Sequence, residues 1–380
     1  MTELTSMIGD IAPPSSGELA ERREKLRAEM TRAGVDALFL EPGASLRYVT
    51  GVDWHPSERP FGMVLTRDGA TILCPAFEER RAGELLEDLT SLEILPWQEH
   101  EDAFEKLAHW WSGQRLSRLA VDPATRLFML EGIRRAIDTG EVINAAPLIQ
   151  ACRGRKSPLE IERMRLANRI TQRAIAHGQS QLRVGMTQTE LSQIIQEAHV
   201  ALGAPPGWTL VLFGECSAYP HGRDDGHGLR EGEVVLTDCG TNVFGYQSDV
   251  TRTTVFGEPT KRQLEIWNVV DRAQRAAFEA ARPGNLCQDV DRAARQVIDE
   301  AGFGPGYRTF SHRLGHGIGL EGHEWPYLVE GSEVVIEPGM TFSNEPGIYI
   351  PGELGIRLET IIHITEEGCE YLGVRQDAIQ

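Results

Sequence analysis

Leu229–Gly240, LREGEVVLTDCG, falls on Ile336–Gly347, IEPGMTFSNEPG, when shifted by 107 positions: Gly232 meets Gly339, Asp238 meets Glu345 and Gly240 meets Gly347. Upstream, Arg183–Leu191 (RVGMTQTEL) falls on Arg282–Val290 (RPGNLCQDV) after a shift of 99. That shift matches Arg183 with Arg282, Gly185 with Gly284, Glu190 with Asp289 and, further on, Gly203 with Gly302. Each half reads as helix, helix and strands, with one acidic residue ending an apolar strand. Chance similarity between amphipathic segments is the plainer explanation, but it does not bring the acids and their following glycines into coincidence together. The repeat predicts a pseudo-twofold α+β domain with a site between its halves, lined by matching carboxylates.

The strands around the repeat carry the chemistry. Asp238 in LTDCG and Asp249 in YQSDVTRTTVF flank the turn residues Asn242, Gly245 and Tyr246, a spacing that suits a hairpin with both carboxylates on one face. Two ionised carboxylates that close repel unless they share a proton or a cation. Glu345 and Glu359 lie in the apolar runs SNEPGIYI and GIRLETIIHI, where an unpaired buried acid would be expensive. Between the two pairs, HRLGHGIGLEGHE places His312, His316 and His323 among glycines. Four carboxylates with one or more histidines form an oxygen-rich set suited to two divalent cations about 3.5–4 Å apart, Mn2+, Co2+ or Zn2+. The ligand types exclude a thiolate zinc site. Taken singly, each residue has a plainer reading: Asp238 as a turn acid, Asp249 paired with Arg252, Glu359 paired with Arg357, His312 and His316 as structural histidines. Cys216 and Cys239, close by, read as packing.

The 380-residue chain is 41% hydrophobic and 25% charged, enough for two domains with separate cores. Glu18–Ala33 has helical spacing, and VDALFL, GMVLTRDGATILC, LEILPW and LSRLAVD are strand-like runs alternating with helical stretches. An α/β domain over 18–152 follows. Arg153-Gly-Arg-Lys-Ser-Pro158 punctuates the chain, with Ser157 as helix N-cap and Pro158 at the first helical position, so the second domain is placed over 153–380. Residues 1–17, acidic and rich in Pro and Ser, lack a basic stretch before an apolar one and read as a flexible lead-in, not a signal peptide. No apolar run approaches about 18 residues, so no membrane span is expected. A net charge of -18 argues against nucleic acid and anionic membranes as partners. Six scattered cysteines without a CxxC pair fit a reducing, cytoplasmic setting.

Taken together, DCGTNVFGYQSDVTRT, SHRLGHGIGLEGHEWP, SNEPGIYI and GIRLET resemble the pita-bread metallopeptidases, in their Xaa-Pro dipeptidase (prolidase) and Xaa-Pro aminopeptidase branch. SLRYVTGVDW near Ser45 and the preceding α/β pattern resemble that branch's creatinase-like N-terminal domain. The resemblance implies a binuclear metal site of Asp238, Asp249, His316, Glu345 and Glu359, holding two divalent ions per subunit, Mn2+ foremost, with Asp249 and Glu359 shared between them. It places His221 near the substrate backbone, His323 at the scissile amide and His312 in the substrate pocket, and makes Tyr349 and Arg357 the pair that orients ligands and substrate. Glu345 would take the proton of the attacking water and return it to the leaving nitrogen, so His221, His323 and Glu345 are the expected catalytic residues. Thr360 stands where an acidic or amide residue is commoner.

The expected reaction is hydrolysis of the Xaa-Pro bond of a small peptide, most readily a dipeptide, by a hydroxide bridging the two metals. Proline's nitrogen has no N–H, so it needs a dedicated pocket. Alternatives are an Xaa-Pro aminopeptidase acting on longer peptides, another hydrolase or lyase on the same scaffold, and a catalytically silent binding protein. A homodimer is expected. Arg223 and Arg313, near the histidines, could clamp a substrate carboxylate; their plainer reading is as surface or packing arginines.

Overall fold

The computed structural model describes residues 4–9, 11–89, 91–138, 140–223 and 226–380. They form two compact units: Ala12–Arg153, and Met1–Ile11 together with Gly154–Gln380.

In the first unit six strands, β1 (Ala37–Leu40), β2 (Gly62–Thr66), β3 (Ala70–Pro75), β4 (Leu92–Trp97), β5 (Arg118–Val121) and β6 (Glu141–Asn144), form one mixed sheet in the order β4-β3-β2-β1-β5-β6. The helices are α1 (Ser16–Arg32), α2 (Ala44–Thr50), α3 (Glu79–Leu85), α4 (Ala103–Ser112), α5 (Leu127–Ala136) and α6 (Ala146–Arg153). The central strand ALFL is apolar throughout because both its faces are covered. Ala37 and Phe39 pack with Trp110 and Trp111 of α4 and Met129 and Ile133 of α5, while Leu38 and Leu40 are buried on the opposite face. Each buried Leu, Ile, Phe or Met among them contributes about 1.5–3 kcal/mol.

The second unit repeats one plan twice. Its first half is α7 (Pro158–Gln179), α8 (Gln188–Ala201), β7 (Trp208–Phe213), β8 (Val234–Gly240), the short pair β9 (Asn242–Val243) and β10 (Tyr246–Gln247), and β11 (Val250–Val255). Its second half is α9 (Lys261–Ala280), α10 (Cys287–Glu300), β12 (Gly315–Gly317), β13 (Glu324–Leu328), β14 (Thr341–Asn344), β15 (Gly347–Ile350), β16 (Leu354–Arg357), β17 (Thr360–Ile364) and β18 (Cys369–Tyr371). The main sheets run β11-β8-β7 and β13-β12-β14-β17-β18. α7 starts as its sequence directs: Ser157 caps Glu160, Glu160 returns the bond to the Ser157 N–H, and Pro158 fills the first turn. In each half the helix pair lies behind its own strands, Ile170 and Ile195 against Val211 and Val235 in one, Val270 and Ile298 against Phe342 and Ile362 in the other.

The pseudo-twofold relation extends to backbone detail. Gly185 and Gly284 both adopt left-handed φ values, +79° and +89°, and donate to Leu229 O and Ile336 O at 2.8 and 2.9 Å, carbonyls that are themselves related by the repeat. α8 and α10 both close on a glycine with positive φ, Gly203 and Gly302, the helix stop for which glycine carries no Cβ penalty.

The lead-in differs from its expected flexibility. Residues 1–3 and 10 lie outside the described residues, but Met7 N donates to Leu202 O at 2.8 Å, and Leu4, Met7, Ile8 and Ile11 pack against the α7–α8 core. Four apolar side chains in a polar segment gain by covering an apolar helix surface. Ser15 already caps α1.

Candidate metal centre

β8 and β11 pair antiparallel with Asp238 opposite Thr251. Asp249 lies two residues before Thr251, so period-two alternation turns Asp238 and Asp249 to the same face. In the second half β14 pairs with β17, Asn344 opposite Thr360, and Glu345 and Glu359 are the next residues outward. The runs SNEPGIYI and GIRLETIIHI, read as two continuous strands, each break at their acid. Pro346, which cannot donate to a ladder, follows Glu345, and the chain passes to the separate hairpin β15–β16 before re-entering the main sheet after Glu359.

The four acids and His316 converge. One carboxylate oxygen from each of Asp238, Asp249 and Glu359 lies within 4.8 Å of the others, and His316, Glu345 and Glu359 satisfy the same limit, as do Asp249, His316 and His323. His316 Nε2 is 3.3 Å from Glu345 Oε1 and 3.7 Å from Asp249 Oδ2. The glycines of GHG are required by packing. A Cβ on Gly315 would meet Ser343 O at 1.9 Å, and one on Gly317 would meet Glu324 O at 2.6 Å, so only glycine lets β12 sit between its neighbours.

The electrostatics fit a cation. Burial, then repulsion from Glu359, pushes Asp249 well above the usual carboxylate range, and burial followed by Glu345 and Asp238 does the same to Glu359. Asp238 is also raised: burial outweighs the attraction of Arg357, whose Nη2 donates to Asp238 Oδ2 at 2.5 Å. Glu345 goes the other way. Burial is the largest single influence and would raise it, but the His316 hydrogen bond and the charges of His312, His316 and Arg357 together bring it to about 2. Asp238 Oδ1 and Asp249 Oδ1 are buried without a hydrogen-bond partner among the described residues, a cost that a bound cation would remove. His316 Nδ1 lies 3.0 Å from Gly317 O. A carbonyl only accepts, so Nδ1 carries a hydrogen there and Nε2 is turned to the carboxylates, where a metal would take its lone pair in place of the hydrogen it shares with Glu345.

A polar network surrounds the cluster. Arg357 also donates through Nη1 to Tyr349 Oη (2.9 Å) and through Nε to Thr251 Oγ1 (3.1 Å), and Thr251 in turn donates to Glu359 Oε2 (2.7 Å). His312 Nε2 bonds Tyr349 Oη at 2.8 Å, and burial lowers its pKa to about 4. His323 is exposed; its ring lies 3.8 Å from that of His316, and partial burial, then the His316 charge, lowers it to about 4 as well. His221 lies on a cavity of about 460 Å³ with Leu210, Leu212, Arg223 and His227, near enough for its charge to act on His323.

All the residues singled out in the sequence thus lie at or beside one cluster, with His221 at its margin. The plainer pairings do not form: Arg252 donates to Thr251 O and Glu359 O, not to Asp249, and Arg357 takes Asp238, not Glu359. Sequence reasoning missed Thr251 and Ser343, whose Oγ donates to Glu345 Oε1 at 3.0 Å and accepts from His316 N. Each stands two residues from an acid on the same strand face, so period-two alternation was the available signal. It also missed the Asp291–Arg295 pair on α10, whose i,i+4 spacing was visible but whose loop contacts were not.

Comparison with known proteins agrees with this geometry. Residues 162–366 match the model of metallopeptidase family M24, and residues 22–154 that of the creatinase/prolidase N-terminal domain. The chain is 37% identical over 360 residues to a probable dipeptidase PepE of Mycobacterium tuberculosis, covering 93% of this chain and 94% of that protein. Among solved structures, dipeptidase PepE from Mycobacterium ulcerans superposes with a TM-score of 0.89 at 32% identity, over 97% of this chain and 99% of that one. An Xaa-Pro dipeptidase from Bacillus anthracis gives 0.82 at 30% identity, over 93% and 97%.

Proposed function

The chain belongs to metallopeptidase family M24, and from that premise we propose that it hydrolyses the Xaa-Pro bond of dipeptides with two divalent cations, Mn2+ foremost, held by Asp238, Asp249, His316, Glu345 and Glu359. The observation that carries this reading is the buried carboxylate cluster, with two of its oxygens left without a hydrogen bond from any described residue and the His316 Nε2 set among the carboxylates. When bound, such ions supply a nucleophilic water at neutral pH and polarise the scissile carbonyl.

The chain's own residues do the rest. Glu345, the acid held ionised, has Oε1 engaged by Ser343. Its Oε2 is left to take the proton of the attacking water and pass it to the proline nitrogen, which leaves as an amine. His323 is neutral at pH 7, and its Nδ1 faces the Arg313 guanidinium at 3.4 Å. Arginine only donates, so Nδ1 accepts and Nε2 bears the hydrogen, aimed at the oxyanion as it develops. His312, Tyr349 and Arg357 form one hydrogen-bonded chain that fixes Asp238 and, through Thr251, Glu359. His221 and the apolar Leu210 and Leu212 supply the wall for the proline ring. The six free cysteines, five of them buried, support a reducing, cytoplasmic setting, and a homodimer belongs to the same reading.

The test is the Mn2+-loaded protein against Ala-Pro, Ala-Pro-Ala and Ala-Ala. Ala-Pro should be cleaved with the highest kcat/KM and Ala-Ala hardly at all. Cleavage confined to the tripeptide would make the enzyme an aminopeptidase, and equal cleavage of Ala-Ala would remove the proline requirement.

A further inference from the structure

Behind the two glutamates of the cluster, one side chain reaches the backbone of both. Gln274 on α9, 1% exposed, donates the two hydrogens of its amide nitrogen to Asn344 O and Leu358 O, each at 3.1 Å. Asn344 and Leu358 are the residues immediately before Glu345 and Glu359. A carbonyl and the N–H that follows it share one rigid peptide plane. The N–H ends of the same two planes are held as well: Glu345 N donates to Leu314 O at 3.0 Å and Glu359 N to Thr251 O at 3.1 Å. Asn344 Nδ2 returns a bond to Gln274 O at 2.9 Å. Gln274 thus clamps together the two backbone segments from which Glu345 and Glu359 project.

The first half carries a counterpart at the same helical position. Gln274 stands 13 residues after Lys261, the first residue of α9, and Thr171 stands 13 after Pro158, the first of α7. Thr171 is buried and bonds Ser248 Oγ at 2.8 Å; Ser248 is the residue before Asp249. His199, whose pKa burial lowers to about 4, is neutral at pH 7. Its Nδ1 donates to Pro206 O, so Nε2 accepts the Thr171 hydroxyl hydrogen at 3.2 Å and leaves Thr171 Oγ1 to accept from Ser248. Ser248 is tied in turn to Thr241 across the turn between β8 and β11, N to O at 2.9 Å, with its Oγ accepting from Thr241 N at 3.0 Å. Asp249 and Glu359 each enter two of the three close groups of ligand atoms in the cluster. Two cations about 3.5–4 Å apart leave little latitude to acids that reach both, and such a constellation has to be held within about 0.5 Å. We propose that Gln274 and Thr171 are a pair of positioning residues, one from each half, that fix the spacing of the two metals by holding the backbone before Glu345, Glu359 and Asp249. This rests on the two-metal reading above and adds the means by which the repeated scaffold sets it.

The experiment titrates Mn2+ calorimetrically into the metal-free full chain, for wild type, Gln274→Met, Thr171→Val and Thr171→Ser. Electron paramagnetic resonance of the loaded proteins reads the coupling between the two Mn2+ ions, and melting temperatures are taken with and without Mn2+. Wild type should bind two ions and show the coupled pair. Gln274→Met, which fills the same space without donors, should bind the weaker ion about 10- to 100-fold less tightly, the usual cost of losing a partner behind metal ligands. Its spectrum should shift towards that of isolated ions, and Mn2+ should raise its melting temperature less than that of wild type. Thr171→Val should move in the same direction, and Thr171→Ser, which keeps the hydroxyl, should restore wild-type affinity. If Gln274→Met melts lower by the same amount with and without Mn2+ and binds both ions as tightly as wild type, Gln274 only packs α9 and the proposal fails. Should Gln274→Met not fold, the Thr171 variants decide: equal Mn2+ affinity of Thr171→Val and Thr171→Ser overturns the proposal. A wild type that binds fewer than two ions removes the two-metal reading, and this inference with it.

Discussion

Asp291 and Arg295 brace the loop that leads into the site, and removing either should show it. They form a bidentate i,i+4 pair on α10, Nε to Oδ2 at 2.7 Å and Nη2 to Oδ1 at 3.1 Å, with side chains 1% and 8% exposed. The same groups hold the loop before His316. Arg295 donates to Phe310 O (2.8 Å) and His312 O (2.5 Å), stacks on Tyr307 and Phe310, and Asp291 Oδ1 accepts from Leu314 N at 2.9 Å. Asp291→Leu leaves a buried cation unpaired and orphans the Leu314 N–H. Breaking a buried pair from one side costs about 3–5 kcal/mol, which for a unit of this size lowers the melting temperature by about 6–20 °C. Because the loop carries His312 and leads into His316, kcat/KM should also drop by about 10- to 100-fold. Arg295→Met should be comparably destabilised. The double variant Asp291→Leu/Arg295→Met has no stranded charge and retains only the loss of the loop's hydrogen bonds, about 1–3 kcal/mol. Urea unfolding of the wild type, both single variants and the double variant therefore reads a coupling of several kcal/mol. Additivity of the two single losses within about 0.5 kcal/mol would refute the reasoning.

The remaining expectations concern the metal site and one remote histidine. His316→Ala should lose metal occupancy and activity together. His323→Ala should keep both metals and a near-normal KM while losing about two to three orders of magnitude in kcat; metal stoichiometry showing the reverse would exchange the two roles. Chelation should lower the melting temperature and Mn2+ restore it, since Asp238, Asp249 and Glu359 repel one another and a ligand bound only by the folded state stabilises it; an unchanged midpoint after verified metal removal contradicts the cluster. His199, buried between Pro206 O and Thr171 Oγ1, has its pKa lowered by burial to about 4. Below pH about 6.5 the unfolded chain binds a proton that the folded one refuses. The stability this histidine contributes is thus complete above pH 6.5 and is lost as pH falls towards 4, by roughly 3 kcal/mol in all. His199→Gln should accordingly show a shallower loss of urea midpoint between pH 6.5 and 4.5 than wild type, and parallel curves would count against it.

What the sequence determined by itself is what depends on neighbours in the chain. Left-handed glycines at Gly185, Gly203, Gly284 and Gly302, the Ser157–Pro158–Glu160 helix start and the alternation that turns Asp238 and Asp249 to one side are local consequences of backbone sterics and strand pleat. Because each half repeats them in order, the fold and the acids of the site could be read before any contact was known. The tertiary structure alone decided pairings between distant segments. Arg357 found Asp238, 119 positions away, instead of the adjacent Glu359, because β16 packs beside β8 while Glu359 turns toward Thr251. Arg252 was drawn to the carbonyls of Thr251 and Glu359 and away from Asp249, and residues 4–11 settled on α7 and α8. A charge buried among several possible partners takes the one that strand register places at hydrogen-bond distance, and register across a hundred residues is set by the packing of whole sheets, not by spacing in the chain.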